Sequence, residues 1–421
     1  MIKKIGNTVK KHKLLFENFI SLSVLQAAGY ILPLITLPYL VRVMGPDKFG
    51  LVAFAQSFVI YFTIITDYGF NLSATKDISV NRDNPGKVSE IFCSVYAVKL
   101  ILLVFSTALF TALVFFIPRF RADYQVFMLS FIIVLGNTLF PVWIFQGMEK
   151  MKYITIINVI IKALFVIPVF IFIKKQQDYV YSPLINSSGF LVSGIIGFYL
   201  AVKIFRIKLI IPTATQIAGQ FRDGWYIFVS TIAISVYTVS NTFILGLFAN
   251  NTVVGYYSAA EKIVKAVQGI LGPVSQAVYP HISRLVSESK SMAMAFLKKL
   301  LLVIGSGTFL LSAALFVFAD PIVTLVLGPE YGRSVMILRI LAFLPFIIGL
   351  SNVFGILGLM NFGEQKKFSR VILSGGIISL VLTIALVPMY KGIGSAVSWL
   401  ITEMFITLSF LYYFSRLGSE I

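Results

Sequence analysis

Twelve runs of mostly apolar residues, each long enough to cross about 30 Å of hydrocarbon as a helix, recur along the 421-residue chain. They lie at roughly 14–43, 48–71, 88–117, 122–146, 151–173, 180–205, 223–249, 253–281, 298–326, 334–361, 368–390 and 392–415. In hydrocarbon every backbone N–H and C=O must be satisfied within the protein, so such runs specify an all-α integral membrane protein. Composition agrees: 12% of the residues are charged, against about 25% in a water-soluble domain. The connections around 72–87, 206–222 and 282–297 are polar and too short for a separate catalytic module. A cytoplasmic enzyme, a disordered chain and a disulfide-stapled secreted domain are excluded.

Charge orients the spans. The chain carries 35 Lys and Arg against 17 Asp and Glu, a formal charge of +18. With the first basic segment inside, alternate loops hold 22 Lys and Arg on the inner side and 8 on the outer, and five lie within spans. The positive-inside rule then predicts a multi-pass protein with both termini cytoplasmic, and it makes the basic loops a topology signal with no nucleic-acid partner. The first span is too long for a signal-peptide core and lacks a small-residue cleavage pattern after it, so it is expected to be a retained anchor. Cys93 has no intramolecular disulfide partner, and His12 and His281 are too far apart in sequence to suggest a metal pair. No P-loop, H-E-x-x-H or D-x-D motif is present, and Gly305–Ser306–Gly307 reads as close helix packing. Neither catalytic residues, a metal nor a cofactor are expected.

Six spans that return to their starting side can be duplicated in parallel about an axis along the membrane normal. Gly50 and Ala55, between spans 1 and 2, match Gly255 and Ala260, between spans 7 and 8, at an offset of 205. Glu149, Lys152 and Tyr153 match Glu364, Lys367 and Phe368 at an offset of 215. The expected architecture is two six-helix lobes, 1–205 and 223–421, joined by a cytoplasmic linker at 206–222 and facing a central cavity.

A basic side chain at mid-span costs roughly 2.5–3.5 kcal/mol on insertion scales, so those retained face a wet cavity or a partner. The five are Lys99, Lys162, Lys262, Lys265 and Arg339, and the in-span acids are Asp67, Glu261 and Glu403, leaving two positive charges in excess. Lys99 and Lys162 have no in-span acid near them in sequence and are expected to line the cavity. Glu261 and Lys265 are four residues apart and can also pair along one helix face, and Arg339 can also snorkel to the interface. The carboxylates Asp67, Glu261 and Glu403 are candidates for ion coupling or for structural pairing. Pro33, Pro38 and Pro273 are hinge candidates, because proline removes a backbone hydrogen bond, although prolines are common in membrane helices.

Four segments carry a family resemblance: LPLITLPYLVRVMGPDKFGLVAFAQ (32–56), DYGFNLSATKDIS (67–79), PVWIFQGMEKMKY (141–153) and SAAEKIVKAVQGILGPVSQAVYPHIS (258–283). They resemble Wzx-type O-antigen flippases, of the superfamily that includes MATE drug exporters and the lipid II flippase, and the resemblance runs from the first span to the last. It implies a MATE-like fold in the bacterial inner membrane. It also implies a carrier that moves undecaprenyl-pyrophosphate-linked oligosaccharide from the cytoplasmic to the periplasmic leaflet by alternating access, driven by H+, Na+ or membrane potential. Lys99, Lys162, Lys262, Lys265 and Arg339 would meet the pyrophosphate headgroup while membrane lipid takes the polyprenyl tail. An O-antigen polymerase and a chain-length regulator are the implied protein partners. Two other readings share these spans. A MATE-like exporter of cationic drugs would call for an acidic cavity, and a membrane-embedded polymerase or glycosyltransferase would call for a sizeable outer loop.

Overall fold

The computed structural model describes residues 2–419, with the side chains of 2–16, 18–19, 233–234, 236–238 and 418–419 left aside. Among the described residues there are helices and turns and no strands. Helix α1 (Ile2–Asp67) has 66 residues, about three bilayer thicknesses at 1.5 Å per residue. It is two helices joined at Gly45 (φ 67°, ψ 170°), followed by Pro46. It stops at Tyr68 (φ 47°) and Gly69 (φ 80°), two successive left-handed residues, and α2 (Phe70–Asn81) follows.

Asn84 caps α3 (Pro85–Phe116) by accepting from the Lys87 amide at 3.1 Å, with Pro85 in the first turn where no donor is missed. Next come α4 (Pro118–Arg121), α5 (Tyr124–Leu139), α6 (Val142–Gly147), α7 (Met151–Phe172) and α8 (Tyr181–Phe205). The 35-residue α9 (Ala214–Phe248) leads to α10 (Asn251–Gln268) and α11 (Leu271–Glu288), so the expected span 253–281 is divided at Gly269–Ile270. Then follow α12 (Lys290–Val317), α13 (Ala319–Ile322), α14 (Ser334–Leu341), α15 (Leu344–Ser351), a π-helical stretch at Asn352–Leu359, and α16 (Gln365–Ser419). Helix α16 is likewise two helices, joined at Lys391 (φ 50°, ψ −125°).

Among the described residues, eight helical stretches are long and apolar enough to cross a membrane. Two of them, Ile20–Asn81 and Gln365–Leu417, run 62 and 53 residues, more than twice the roughly 20 that one crossing needs. Large apolar side chains such as Val104, Leu302, Val303 and Leu310 point outward and stay uncovered by the chain, as suits a hydrocarbon solvent.

The chain divides into two compact units: Met1–Leu32 with Ala55–Ile232, and Pro33–Phe54 with Ala233–Ile421. The core of the first gathers Phe70, Phe92, Tyr96, Trp143 and Phe145, with the Tyr96 hydroxyl donating to the Leu139 carbonyl at 2.6 Å. The core of the second gathers Leu297, Val353, Leu357, Ile406 and Phe410.

Inside the second unit the segment after Gly45 meets the segment that the sequence matches to it at an offset of 205. Gly50 lies against the Asn251 carbonyl, and Gly255 lies against the Pro46 carbonyl. These two contacts exchange under the offset of 205, and Thr252 donates to Asp47, also 205 residues apart, at 3.4 Å. The contact is thus self-complementary, as in a two-fold interface. The other matched pair of segments shows a different register. The Lys150 amide bonds the Phe145 carbonyl and the Glu364 amide bonds the Leu359 carbonyl, at 2.8 and 2.9 Å, beside left-handed Glu149 and Gly363. Equivalent turns are therefore 214 residues apart, one residue off the register of the side-chain match.

Candidate functional site

Each unit gathers some of the in-span charges. In the first, α1 ends at Asp67, and the Asn71 amide, one turn on in α2, donates to its carboxylate at 2.7 Å. Lys99 of α3 brings its ammonium to 3.9 Å from Asp67 and donates to the Asn137 carbonyl of α5 at 3.4 Å. The Lys99 side chain is only 2% exposed, whereas Asp67 keeps 31%. Lys99 is therefore enclosed by protein, and the acid is the accessible end of the pair. An ammonium enclosed this way is tolerable because a carboxylate and a carbonyl face it. Lys162 of α7 is half-buried, its ammonium 5.5 Å from the centre of the Phe190 ring.

In the second unit Glu261 and Lys265, one turn apart on α10, form an ion pair at 2.8 Å. Thr242 of α9 donates to the other Glu261 oxygen at 3.0 Å. The Lys265 ammonium lies 5.6 Å from the Trp399 ring, and the Trp399 indole N–H donates to Glu403 at 3.4 Å. Thr242, Glu261, Lys265, Trp399 and Glu403 thus form a chain of contacts across α9, α10 and α16, its middle link a cation over an aromatic ring. Lys262 lies apart from it, 4.8 Å over the Phe49 ring. Arg339 of α14 is exposed.

Four of the five in-span cations are accommodated in two ways: Lys99 and Lys265 have carboxylate partners, and Lys162, Lys262 and Lys265 lie over aromatic faces, whose negative quadrupole attracts a cation. Sequence reasoning missed these aromatic seats, Phe49, Phe190 and Trp399, and the polar partners Asn71, Asn137 and Thr242. Asn71 and Trp399 were readable as i,i+4 neighbours of Asp67 and Glu403. Phe49, Phe190, Asn137 and Thr242 come from other helices and left no local signal.

The proline candidates differ in kind. Pro33 and Pro38 lie in α1, whose non-helical residue is Gly45. Pro33 is the residue at which the chain passes from the first unit to the second. Pro273 occupies the first turn of α11, where proline's missing N–H leaves no bond unmade.

A family model described as "Polysaccharide biosynthesis protein" matches residues 15–286. A protein of Escherichia coli (strain K12) named as an O-antigen transporter is 36% identical over 400 residues, covering 94% of this chain and 96% of the relative. Among solved structures, the inward-facing conformation of a multidrug resistance MATE family transporter aligns with a TM-score of 0.70 at 14% identity, covering 95% of this chain and 98% of the other. The lipid II flippase MurJ in an inward closed conformation aligns with a TM-score of 0.66 at 15% identity, covering 96% and 87%. At such identities the two structures establish the fold alone, a MATE-like and MurJ-like helical membrane protein. With the family match covering well over half its length, the chain belongs to the polysaccharide biosynthesis protein family.

Proposed function

We propose that this protein is a flippase that carries undecaprenyl-pyrophosphate-linked O-antigen repeat units from the cytoplasmic to the periplasmic leaflet of the bacterial inner membrane. The observation that carries the reading is the 36% identity over 94% of the chain to a protein named as an O-antigen transporter. The fold it shares with a lipid II flippase supports it. Physical chemistry supplies the need: pyrophosphate and sugar hydroxyls cannot enter hydrocarbon without losing their hydration.

The reading extends to features that the sequence and the resemblance suggest. The 62- and 53-residue stretches each make two crossings, and α9 and the α10–α11 pair supply two more, giving twelve crossings in two duplicated halves, 1–205 and 223–421, around a central cavity. Both termini are cytoplasmic. Lys162, Lys262 and Lys265, seated on aromatic rings, meet the pyrophosphate, with Lys99 and Arg339 adding to the positive field. Glu261 and Glu403, or Asp67 beside Lys99, carry the coupling ion. The hinge lies at Pro33, with Pro38 and Pro273 as secondary points. A polymerase and a chain-length regulator take over the product.

The test is flipping in a purified system. In proteoliposomes holding a lipid-linked oligosaccharide, the protein should expose the headgroup to a glycosidase on the far side, and in a strain lacking its own flippase it should restore surface polysaccharide. Failure of both with correctly inserted protein overturns the proposal. Altered drug susceptibility with normal surface polysaccharide would favour the drug-export reading instead.

A further inference from the structure

The connection from α8 to α9 lies in the first unit and contains none of the in-span charges. Helix α8 ends at Arg206, left-handed at φ 51°, and α9 starts at Ala214. The irregular segment between them is fastened to α3 by two side chains. The Lys208 amide donates to the Ser89 hydroxyl at 3.1 Å. The Cys93 thiol donates to the Lys208 carbonyl at 3.6 Å, and the Ile210 amide donates to the Cys93 sulfur at 3.3 Å.

These bonds give the segment a direction. Ser89 and Cys93 are one turn apart on α3, about 6 Å along its axis. Helix α3 runs from its cap at Asn84 into the apolar span expected at 88–117. The segment therefore passes from the level of Ser89, at the edge of that span, to the level of Cys93, inside it. Having left the bilayer in α8, the chain turns back toward hydrocarbon between Lys208 and Ile210. Irregular backbone at that depth is tolerated where protein groups satisfy it, and Ser89 and Cys93 do so for three backbone groups.

The side chains match the depth. Leu209, Ile210 and Ile211 are 67%, 45% and 97% exposed, three large apolar groups in a row that acyl chains solvate better than water does. Lys203, Arg206 and Lys208, just before them, are exposed, and none has a carboxylate partner among the described residues. The outer face of α8 follows the same scale. Ile195, Tyr199 and Lys203, each one turn from the next, are all exposed and run from apolar to aromatic to cationic, the order met on passing from hydrocarbon to headgroups. Cations at headgroup level with apolar groups one turn deeper are the two parts of an interfacial anchor, and positive charge without a protein partner selects an anionic headgroup.

We infer that residues 203–211 form an anionic-phospholipid site on the inner face of the membrane. Lys203, Arg206 and Lys208 hold the phosphate of the headgroup, and Leu209, Ile210 and Ile211 enter the acyl-chain region beside it. The site is separate from the in-span cations and is independent of the cargo. It moors the start of α9, whose residues from 233 onward belong to the second unit.

Two measurements on the full-length protein test it, in nanodiscs of phosphatidylcholine mixed with phosphatidylglycerol. The first reads depth. A nitroxide at Ile211→Cys, in a Cys93→Ser background whose hydroxyl can replace both thiol bonds, should show an oxygen-to-nickel-chelate accessibility ratio at least threefold above that of a nitroxide at Asp83→Cys, in the loop before α3. Equal ratios overturn the inference. The second reads the headgroup by native mass spectrometry, with Cys93 intact. The combined change Lys203→Gln, Arg206→Gln and Lys208→Gln should lower retained phosphatidylglycerol at least threefold. Removing the same charge elsewhere on the inner side, by Lys290→Gln, Lys298→Gln and Lys299→Gln, should not. Equal losses from the two triple variants would mean a diffuse positive surface and overturn the site. So would retention of added undecaprenyl phosphate, and not of phosphatidylglycerol, that depends on the first three residues, since the patch would then hold cargo.

Discussion

The crossing of Gly50 and Gly255 offers a direct test of the duplicated architecture. An alanine Cβ at Gly50 would lie 2.5 Å from the Gly255 nitrogen and 2.9 Å from the Asn251 carbonyl carbon. Comfortable carbon contacts begin near 3.5 Å, so the helices must separate by about 1 Å. Overpacking of this kind costs about 1–3 kcal/mol, and the upper end applies because the obstructing atoms are backbone and no rotamer change relieves them. That energy corresponds to a shift of roughly 5–150-fold against the closed crossing. Gly255→Ala should act alike, since its Cβ would lie 2.8 Å from the Pro46 carbonyl carbon. The two changes should not add fully, because they strain one contact.

Cross-linking reads the shift. The buried Cys93 is the only cysteine, so Cys93→Ala provides a clean background for Asp47→Cys with Thr252→Cys, at positions whose side chains already meet at 3.4 Å. Oxidation should link this pair efficiently in the glycine parent and at least fivefold more slowly in either alanine variant. Transport should stop while the link is in place and resume on reduction. Unchanged linking in both alanine variants would show that the crossing is slack and refute the argument.

Other outcomes follow from single contacts. Lys99→Met leaves Asp67 without its cation and should destabilise the protein by about 3 kcal/mol, the low end for a broken buried pair because Asp67 is partly exposed. Lys99→Met with Asp67→Asn should recover much of the lost Tm. Lys162→Glu puts a carboxylate against the negative face of Phe190 and should cut surface polysaccharide at least tenfold while insertion, read by membrane fractionation, stays normal. Glu403→Gln keeps an acceptor for the Trp399 indole and should leave Tm within a few degrees while abolishing any dependence of flipping on an imposed ion gradient. Arg339→Gln, at an exposed position where it only adds to the field, should lower surface polysaccharide by less than Lys162→Glu does.

The all-helical, membrane-crossing character and the pairing of Glu261 with Lys265 were legible in the sequence because each is a short-range signal: an apolar run, a one-turn separation. The match of Gly50 with Gly255 even marked a real crossing, although nothing in the sequence said that the duplicates touch. What stayed hidden depends on tertiary packing. Lys99 looked solitary because its partner Asp67 lies 32 residues earlier, on α1. Lys262 and Lys265 read alike on one helix yet face different rings, Phe49 and Trp399. The break at Gly269–Ile270 was invisible because the apolar run continues across it. The 149/363 turn register was misread by one residue because side chains were matched where the backbone conformation was the equivalent feature.

The passage of α1 from one compact unit to the other at Pro33 has a consequence for biosynthesis. Residues 33–54 belong with 233–421, so they leave the ribosome well before their partners. At about 5–20 residues per second, close to 180 residues of synthesis separate residue 54 from residue 233, a wait of roughly 10–35 s. Throughout it the glycine face at Gly50 has no Gly255 to meet. The first unit can close once residue 232 is inserted, whereas the second must recruit residues 33–54 from a chain already in the bilayer. A truncation after 232 would strand that segment in lipid with no partner.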